Sequence, residues 1–139
     1  MSLVSAYPVT VEWGDCDPAQ IVFYPNYFAW FDAAMTALLE RAGWPYARLY
    51  DELGIIGLPL AEASARFLRP NRFRQRFEIR SRVERWEEKR FTVLHQAYRD
   101  DVLLLEGREV RICGKPHPED PQRLQAVPIP QAFKEAFGA

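Results

Sequence analysis

Two aspartates one residue apart, Asp15 and Asp17, flank a cysteine in the stretch Glu12-Trp13-Gly14-Asp15-Cys16-Asp17-Pro18. An ionised carboxylate can attack an activated acyl carbon or take a proton from water. Its ordinary pKa of about 4 leaves it charged at neutral pH. Pro18 biases Asp17 away from helical backbone, so Asp17 is expected on an extended loop. A plainer reading stands beside this one. Asp next to Pro commonly closes an Asx-turn, and Asp15 can serve as a cap or a surface ion-pair partner. Cys16 is a poor nucleophile here, because the flanking aspartates disfavour a thiolate and no histidine is near in sequence. His95 falls inside a strand pattern and reads as structural, and His117 lies in a proline-rich loop. Neither has ligand spacing, so no metal site is expected. No Ser-His-Asp motif and no phosphate loop is present.

The elements around the aspartates say what they can be aimed at. From about Tyr27 to Ala42 the chain reads as a long helix, with Asn26 as N-cap and Gly43 and Pro45 ending it. Asp32, Thr36 and Glu40 form one narrow polar stripe at spacing four, and the remaining circumference is apolar, so this helix is expected to be buried on most sides. A helix N-terminus attracts anions and polarised carbonyl oxygens. A substrate carbonyl resting there would lie within reach of Asp17. Val9 to Trp13 alternates as a first strand before the turn. A shorter helix is expected over Pro45–Leu53, then strands over Leu60–Leu68, Arg76–Trp86, Arg90–Tyr98 and Val102–Ile112. In the second of these Phe77, Ile79, Ser81 and Val83 alternate with charged residues, as in a half-buried antiparallel strand. Lys115–Arg123 reads as a polar loop, Gln125–Ile129 as a last short edge and Pro130–Phe137 as a terminal helix. One apolar helix against one antiparallel sheet is an α+β architecture in a single domain over residues 1–139.

Composition narrows the partners. A net charge of −1 with 27% charged residues gives no global pull toward nucleic acid or acidic membranes. The helical run is broken by Asp32, Thr36 and Glu40 and is no membrane span. The first residues lack the pattern of a signal peptide. Cys16 and Cys113 are the two cysteines, and they read as free thiols in a reducing cytoplasm.

The ordered run Gly14-Asp15-Cys16-Asp17-Pro18-Ala19, Ile21-Val22, an aromatic pair and Pro25-Asn26-Tyr27 resembles the signature of the 4-hydroxybenzoyl-CoA thioesterase family. That resemblance implies the hotdog fold, a sheet wrapped around one long central helix. It implies an acyl-CoA thioesterase that needs no metal and no redox cofactor, CoA being part of the substrate. It makes Asp17 the catalytic carboxylate, as nucleophile or general base, and the backbone N–H of Tyr24 the donor to the thioester oxygen. It also implies that Lys89 and Arg90 meet the CoA nucleotide, with Arg66, Arg69, Arg72 and Arg74 as the other basic group available. Homo-oligomers, as dimers or dimers of dimers, are implied as well. The chain departs from the family pattern at Gln20, where Gly is common, and at Ala47 and Leu58, where the aromatic-acyl branch has a Trp and a small polar residue. An aromatic, hydroxybenzoyl-like acyl group is the first expectation and a short or medium aliphatic one the second. A dehydratase is disfavoured by the lack of His over residues 12–43, and a non-catalytic acyl-thioester binder is the remaining alternative.

Overall fold

The computed structural model describes residues 2–139. Five strands, β1 Ser5–Thr10, β2 Leu60–Phe67, β3 Arg76–Trp86, β4 Arg90–Arg99 and β5 Val102–Ile112, form an antiparallel sheet in the order β1-β3-β4-β5-β2. Helix α1, Pro25–Arg41, lies against one face and is followed by the shorter α2, Tyr46–Leu53. A small hairpin of β6, Gly114–Pro116, and β7, Leu124–Ala126, precedes α3, Gln131–Ala136. This is the α+β layout expected of a hotdog fold, with the long helix held by the sheet.

Side-chain periodicity builds the packing. On β3, Phe77, Ile79, Ser81 and Val83 are buried, and on β4 Phe91, Val93, His95 and Ala97. Helix α1 meets them with Tyr27, Phe31, Ala34, Met35, Leu38 and Leu39, spaced by three and four. Burying each large side chain is worth about 1.5–3 kcal/mol. The apolar side chains fall into two clusters. One surrounds Tyr27, Phe31, Phe77 and Leu105 under the start of α1. The other joins Leu38, Phe91, Phe133 and Phe137 under its end. Between them a polar row crosses the sheet, where Ser81 and His95 pair across β3 and β4, and His95 and Gly107 across β4 and β5. Phe31 stacks on the His95 ring at 4.9 Å and 5°. Gly107 makes room for it, since a Cβ there would lie 2.4 Å from the Phe31 ring.

Several boundaries differ from the sequence reading. The first strand runs over Ser5–Thr10, and Trp13–Asp15 is a 3-10 turn. Strand β1 sits at a sheet edge, where Pro8 is tolerated. Helix α1 starts at Pro25 with Tyr24 as N-cap, not Asn26. Proline suits the first helical position because its missing N–H is not needed there. Within this chain α1 is buried along one stripe rather than on most sides, because one sheet covers one side only. Ala29 remains exposed and Ala33 and Ala37 half-buried. The last short strand pairs with Gly114–Pro116 instead of extending the main sheet.

Candidate active site

The acidic turn is a compact knot of local hydrogen bonds. Glu12 and Asp15 cap each other's backbone across the 3-10 turn, with the Glu12 N–H donating to Asp15 Oδ2 at 2.8 Å. The Asp15 carbonyl accepts from the Phe23 N–H at 2.8 Å and from Asn26 Nδ2, also at 2.8 Å. Asp15 therefore works through both its carboxylate and its backbone carbonyl, and Asn26 ties the first turn of α1 to the acidic loop. Cys16 is half-buried, with its thiol facing the Glu12 carbonyl at 3.7 Å.

Asp17 makes the turn that its place beside Pro18 suggests. Its Oδ1 accepts from the Ala19 N–H at 2.8 Å, an Asx-type turn. Its backbone bonds Ile21 and Gln20. Among the described residues Oδ2 takes no hydrogen bond, so half of the carboxylate is anchored and half is free. The side chain is only partly buried. Gln20 closes the turn at φ 66°, in the left-handed region, where an L side chain is strained and a glycine would not be.

Tyr24 sits at the junction of this turn with α1. Its backbone is already helical, with φ −56° and ψ −33°. Its carbonyl accepts from the Tyr27 N–H, while its own N–H has no acceptor among the described residues. The ring is exposed and meets Phe23 and Phe67 edge-on. Beside it opens an apolar cleft of about 300 Å³, bounded by Ile21, Val22, Tyr24, Tyr27, Phe67, Leu68, Arg69 and Pro70. The N-terminal end of the helix, with its partial positive charge, thus borders a cleft whose wall at Ile21 is bonded through its carbonyl to the Asp17 N–H.

Sequence reasoning did not foresee what holds this corner in place. Asn71 is fully buried between β2 and β3. Its carbonyl accepts from the Val22 N–H at 2.9 Å, its Nδ2 donates to Tyr27 Oη at 3.1 Å, and its Oδ1 accepts from Arg99. Burial pushes the Tyr27 phenol above its ordinary value, outweighing the hydrogen bond to Asn71. Only the register of the strands brings residues 22, 27, 71 and 99 together.

Lys89 and Arg90 lie elsewhere. They form the β3–β4 turn and the first residue of β4, whereas Arg99, near the Asp17 turn, ends that strand. Ten residues of strand span roughly 30 Å. Within one chain the two expected parts of the site therefore lie at opposite ends of the sheet. Arg90 also pairs with Glu87 at 3.1 Å. Arg69, by contrast, lines the cleft, and Arg72 reaches the Gln20 carbonyl at 3.4 Å.

The second polar group is the buried row. The Ser81 Oγ lies 2.6 Å from His95 Nδ1, and His95 Nε2 lies 2.6 Å from Glu109 Oε1. Glu109 Oε2 accepts from Arg111 at 3.0 Å. Arg111 also donates to the Leu58 carbonyl at 2.9 Å and to Asp32 at 3.0 Å. Serine, histidine and carboxylate in this order resemble a nucleophile, base and orienting acid, but Ser81 and His95 have no exposed surface. Burial raises the Glu109 pKa, but the His95 hydrogen bond and the Arg111 charge outweigh it and hold the carboxyl below its usual range. His95 lies within β4, buried and bonded through both ring nitrogens. Glu109 and Arg111 left only a faint sign, two opposite charges at spacing two on a strand whose other residues of that set include Leu105 and Gly107. Among the described residues no cluster of His, Cys, Asp or Glu has the makings of a metal site. Burial pushes the Cys113 thiol up to about 11. No helix among the described residues is long and apolar enough to cross a membrane.

Comparison with known proteins bears on this geometry. The model of the thioesterase-like superfamily matches residues 11–137. A 4-hydroxybenzoyl-CoA thioesterase of Pseudomonas sp. (strain CBS-3) is 31% identical over 131 residues, covering 90% of this chain and 91% of the relative. A solved 4-hydroxybenzoyl CoA thioesterase, the mutant D17N complexed with 4-hydroxybenzoyl CoA, superposes with a TM-score of 0.87. It is 28% identical and covers 96% of this chain and 98% of its own. A gentisyl-coenzyme A thioesterase is 32% identical with a TM-score of 0.80, covering 97% of this chain and 100% of its own.

Proposed function

The chain belongs to the thioesterase-like superfamily, and from that premise we propose that it hydrolyses an aromatic, hydroxybenzoyl-like acyl-CoA to the free acid and CoA. The observation that carries this reading lies within residues 17–24, where a carboxylate with one free oxygen shortly precedes a helix start whose Tyr24 N–H is unengaged. The thioester oxygen rests on that N–H, which stabilises the charge that develops on it. Removing one such donor typically costs about 3–4 kcal/mol of transition-state stabilisation. Asp17 Oδ2 then acts on the carbonyl carbon. As nucleophile it forms a mixed anhydride while the C–S bond breaks and CoA leaves as thiolate, and water hydrolyses the anhydride. As general base it takes the proton of the attacking water. Neither route draws on a cofactor beyond the CoA of the substrate.

The acyl group is supported by two lines. The relatives act on 4-hydroxybenzoyl and gentisyl thioesters, and one was captured with its ligand as an aspartate-to-asparagine mutant. The cleft walls here, Ile21, Val22, Tyr27 and Phe67, suit an apolar ligand.

A second copy of the chain belongs to this reading. Strand β2 is a sheet edge, and seven of its eight residues are exposed. Two such edges paired antiparallel about a two-fold axis exchange ends. That carries Lys89 and Arg90 of one copy toward the Asp17 end of the other, where they can meet the nucleotide. Lys89 has no ion-pair partner among the described residues, and Arg90 shares Glu87. A dimer is the minimal unit and a dimer of dimers the larger one.

The test is thiol release from benzoyl-, hydroxybenzoyl-, phenylacetyl- and short aliphatic-CoA esters by wild type and Asp17→Asn. Turnover that collapses in the variant, with the fold intact, supports the hydrolase and its carboxylate together. Thermal stabilisation by the esters without turnover would leave a thioester-binding protein instead.

A further inference from the structure

Between Ala63 and Phe77 the chain carries five arginines and no carboxylate, although its net charge is −1. Two of them, Arg66 and Arg76, lie on strands. The other three, Arg69, Arg72 and Arg74, fall in the β2–β3 loop that wraps the acidic turn. That loop is fixed in place. The Arg74 N–H donates to the Val11 carbonyl and the Val11 N–H to that of Gln75. Arg74 itself is held at φ 70°, a left-handed backbone that a side chain adopts only under constraint.

None of the three loop arginines has an ion-pair partner among the described residues, even though Glu12, Asp15 and Asp17 stand in the neighbouring turn. Other surface arginines are answered, Arg48 by Glu52, Arg80 by Glu78 and Arg108 by Glu84. Next to them two aromatic rings are partly left to solvent, the Arg74 guanidinium lying 5.1 Å from the centre of the Phe73 ring. Trp13 is 67% exposed and meets Phe73, 39% exposed, edge-on at 5.5 Å. Unpaired guanidinium groups bind phosphate oxygens by short charge-assisted hydrogen bonds, and exposed aromatic faces stack on bases. Arg69 also lines the cleft beside Tyr24, so the loop and the cleft share a wall.

We propose that the β2–β3 loop is a nucleotide-phosphate site on the same chain as Asp17. Arg69, Arg72 and Arg74 hold the phosphates of the CoA nucleotide, and Trp13 with Phe73 offers the surface against which its purine rests. This rests on the acyl-CoA reading above. It adds a cis-acting cationic wall to the Lys89–Arg90 turn of a second copy.

The experiment measures binding of desulfo-CoA, which carries the nucleotide without a thioester, to the full chain by calorimetry at several salt concentrations. Arg72→Gln/Arg74→Gln is expected to raise Kd by roughly tenfold per arginine engaged and to flatten the dependence of log Kd on log salt. Lys89→Gln/Arg90→Gln gives the comparison. On the CoA ester kcat/KM falls with the affinity, and on an S-acyl-pantetheine ester, which lacks the phosphates, it falls far less. Where the Arg72 change loosens the turn, Arg74→Gln alone keeps the test, since that guanidinium makes no hydrogen bond in the described structure. Unchanged desulfo-CoA affinity in the loop variants, or no binding by wild type, overturns the proposal. So does equal loss on both esters, and so does unchanged desulfo-CoA affinity with lost turnover of a carrier-protein ester, which gives the arginines to an acidic protein. Desulfo-CoA binding that depends on the arginines, without hydrolysis of any CoA ester, sinks the hydrolase reading and leaves this one standing.

Discussion

Two of the carboxylates that have polar partners, Glu109 and Asp17, are opposites. Glu109 is 2% exposed, and both of its oxygens are committed, one to His95 and one to Arg111. Asp17 is partly exposed, with one oxygen tied to a backbone N–H and the other free. The first arrangement has the residue order of a catalytic triad, yet its Ser81 and His95 have no exposed surface. The second has no histidine at all and stands in the turn that leads to the cleft-lining Ile21 and Val22. Chemistry needs an unsatisfied group within reach of a ligand. A fully satisfied buried chain specifies packing instead.

The comparison can be broken most directly at Asp17. Asp17→Asn is expected to lower kcat/KM on a CoA ester by roughly 10²–10⁴-fold, with an unchanged urea midpoint. Glu109→Gln should do the reverse. Leaving Arg111 and His95 without their partner costs about 3–5 kcal/mol of stability, read from urea unfolding, and activity per folded molecule should stay near wild type. A folded Glu109→Gln protein with turnover as low as Asp17→Asn would end the distinction.

Gly107→Ala sharpens it, because the new methyl would collide with the Phe31 ring stacked on His95. Overpacking of this kind costs about 1–3 kcal/mol. A thermal melt as high as wild type would show that α1 does not depend on that stack. Acid separates the two regions as well. The Glu109 carboxyl is held below its usual range, so its contribution is complete above the unfolded value near 4.5 and is lost as pH falls through the lower folded value. Stability should be flat near neutrality and decline on acidification, with a weaker decline in Glu109→Gln. The smallest effect is expected at Gln20. Gly there relieves a left-handed side chain worth about 1–2 kcal/mol but adds about 0.5–1 kcal/mol of unfolded-state entropy. A net gain of about 0–1.5 kcal/mol should appear in urea unfolding.

Much of this was legible in the sequence, and the reasons are physical. Alternation on β3 and the spacing of Phe31, Met35 and Leu38 on α1 depend on local periodicity, so both elements and the fold class could be read. The motif around Asp17 is contiguous and equally visible. Boundaries were less so. The reading took Asn26 as N-cap on its residue type, while Pro25 at the first helical position moved the start upstream. What stayed hidden depends on register. Asn71 meets Val22, Tyr27 and Arg99 only because β2, β3 and β4 end at one corner. The Ser81-His95-Glu109-Arg111 row exists only once three strands are aligned. The separation of Lys89 and Arg90 from Asp17 is likewise a property of the strands that lie between them.

The two borders of the sheet are unequal. Strand β1 carries Pro8, which has no N–H to offer a newcomer, and strand β2 has no proline between Leu60 and Phe67. A sheet open on both sides can add copies without end, as fibres do. A sheet with one blunt border and one receptive border can accept a single copy, after which only blunt borders remain. The proline of β1 thus makes that border the harder one for a further strand to join.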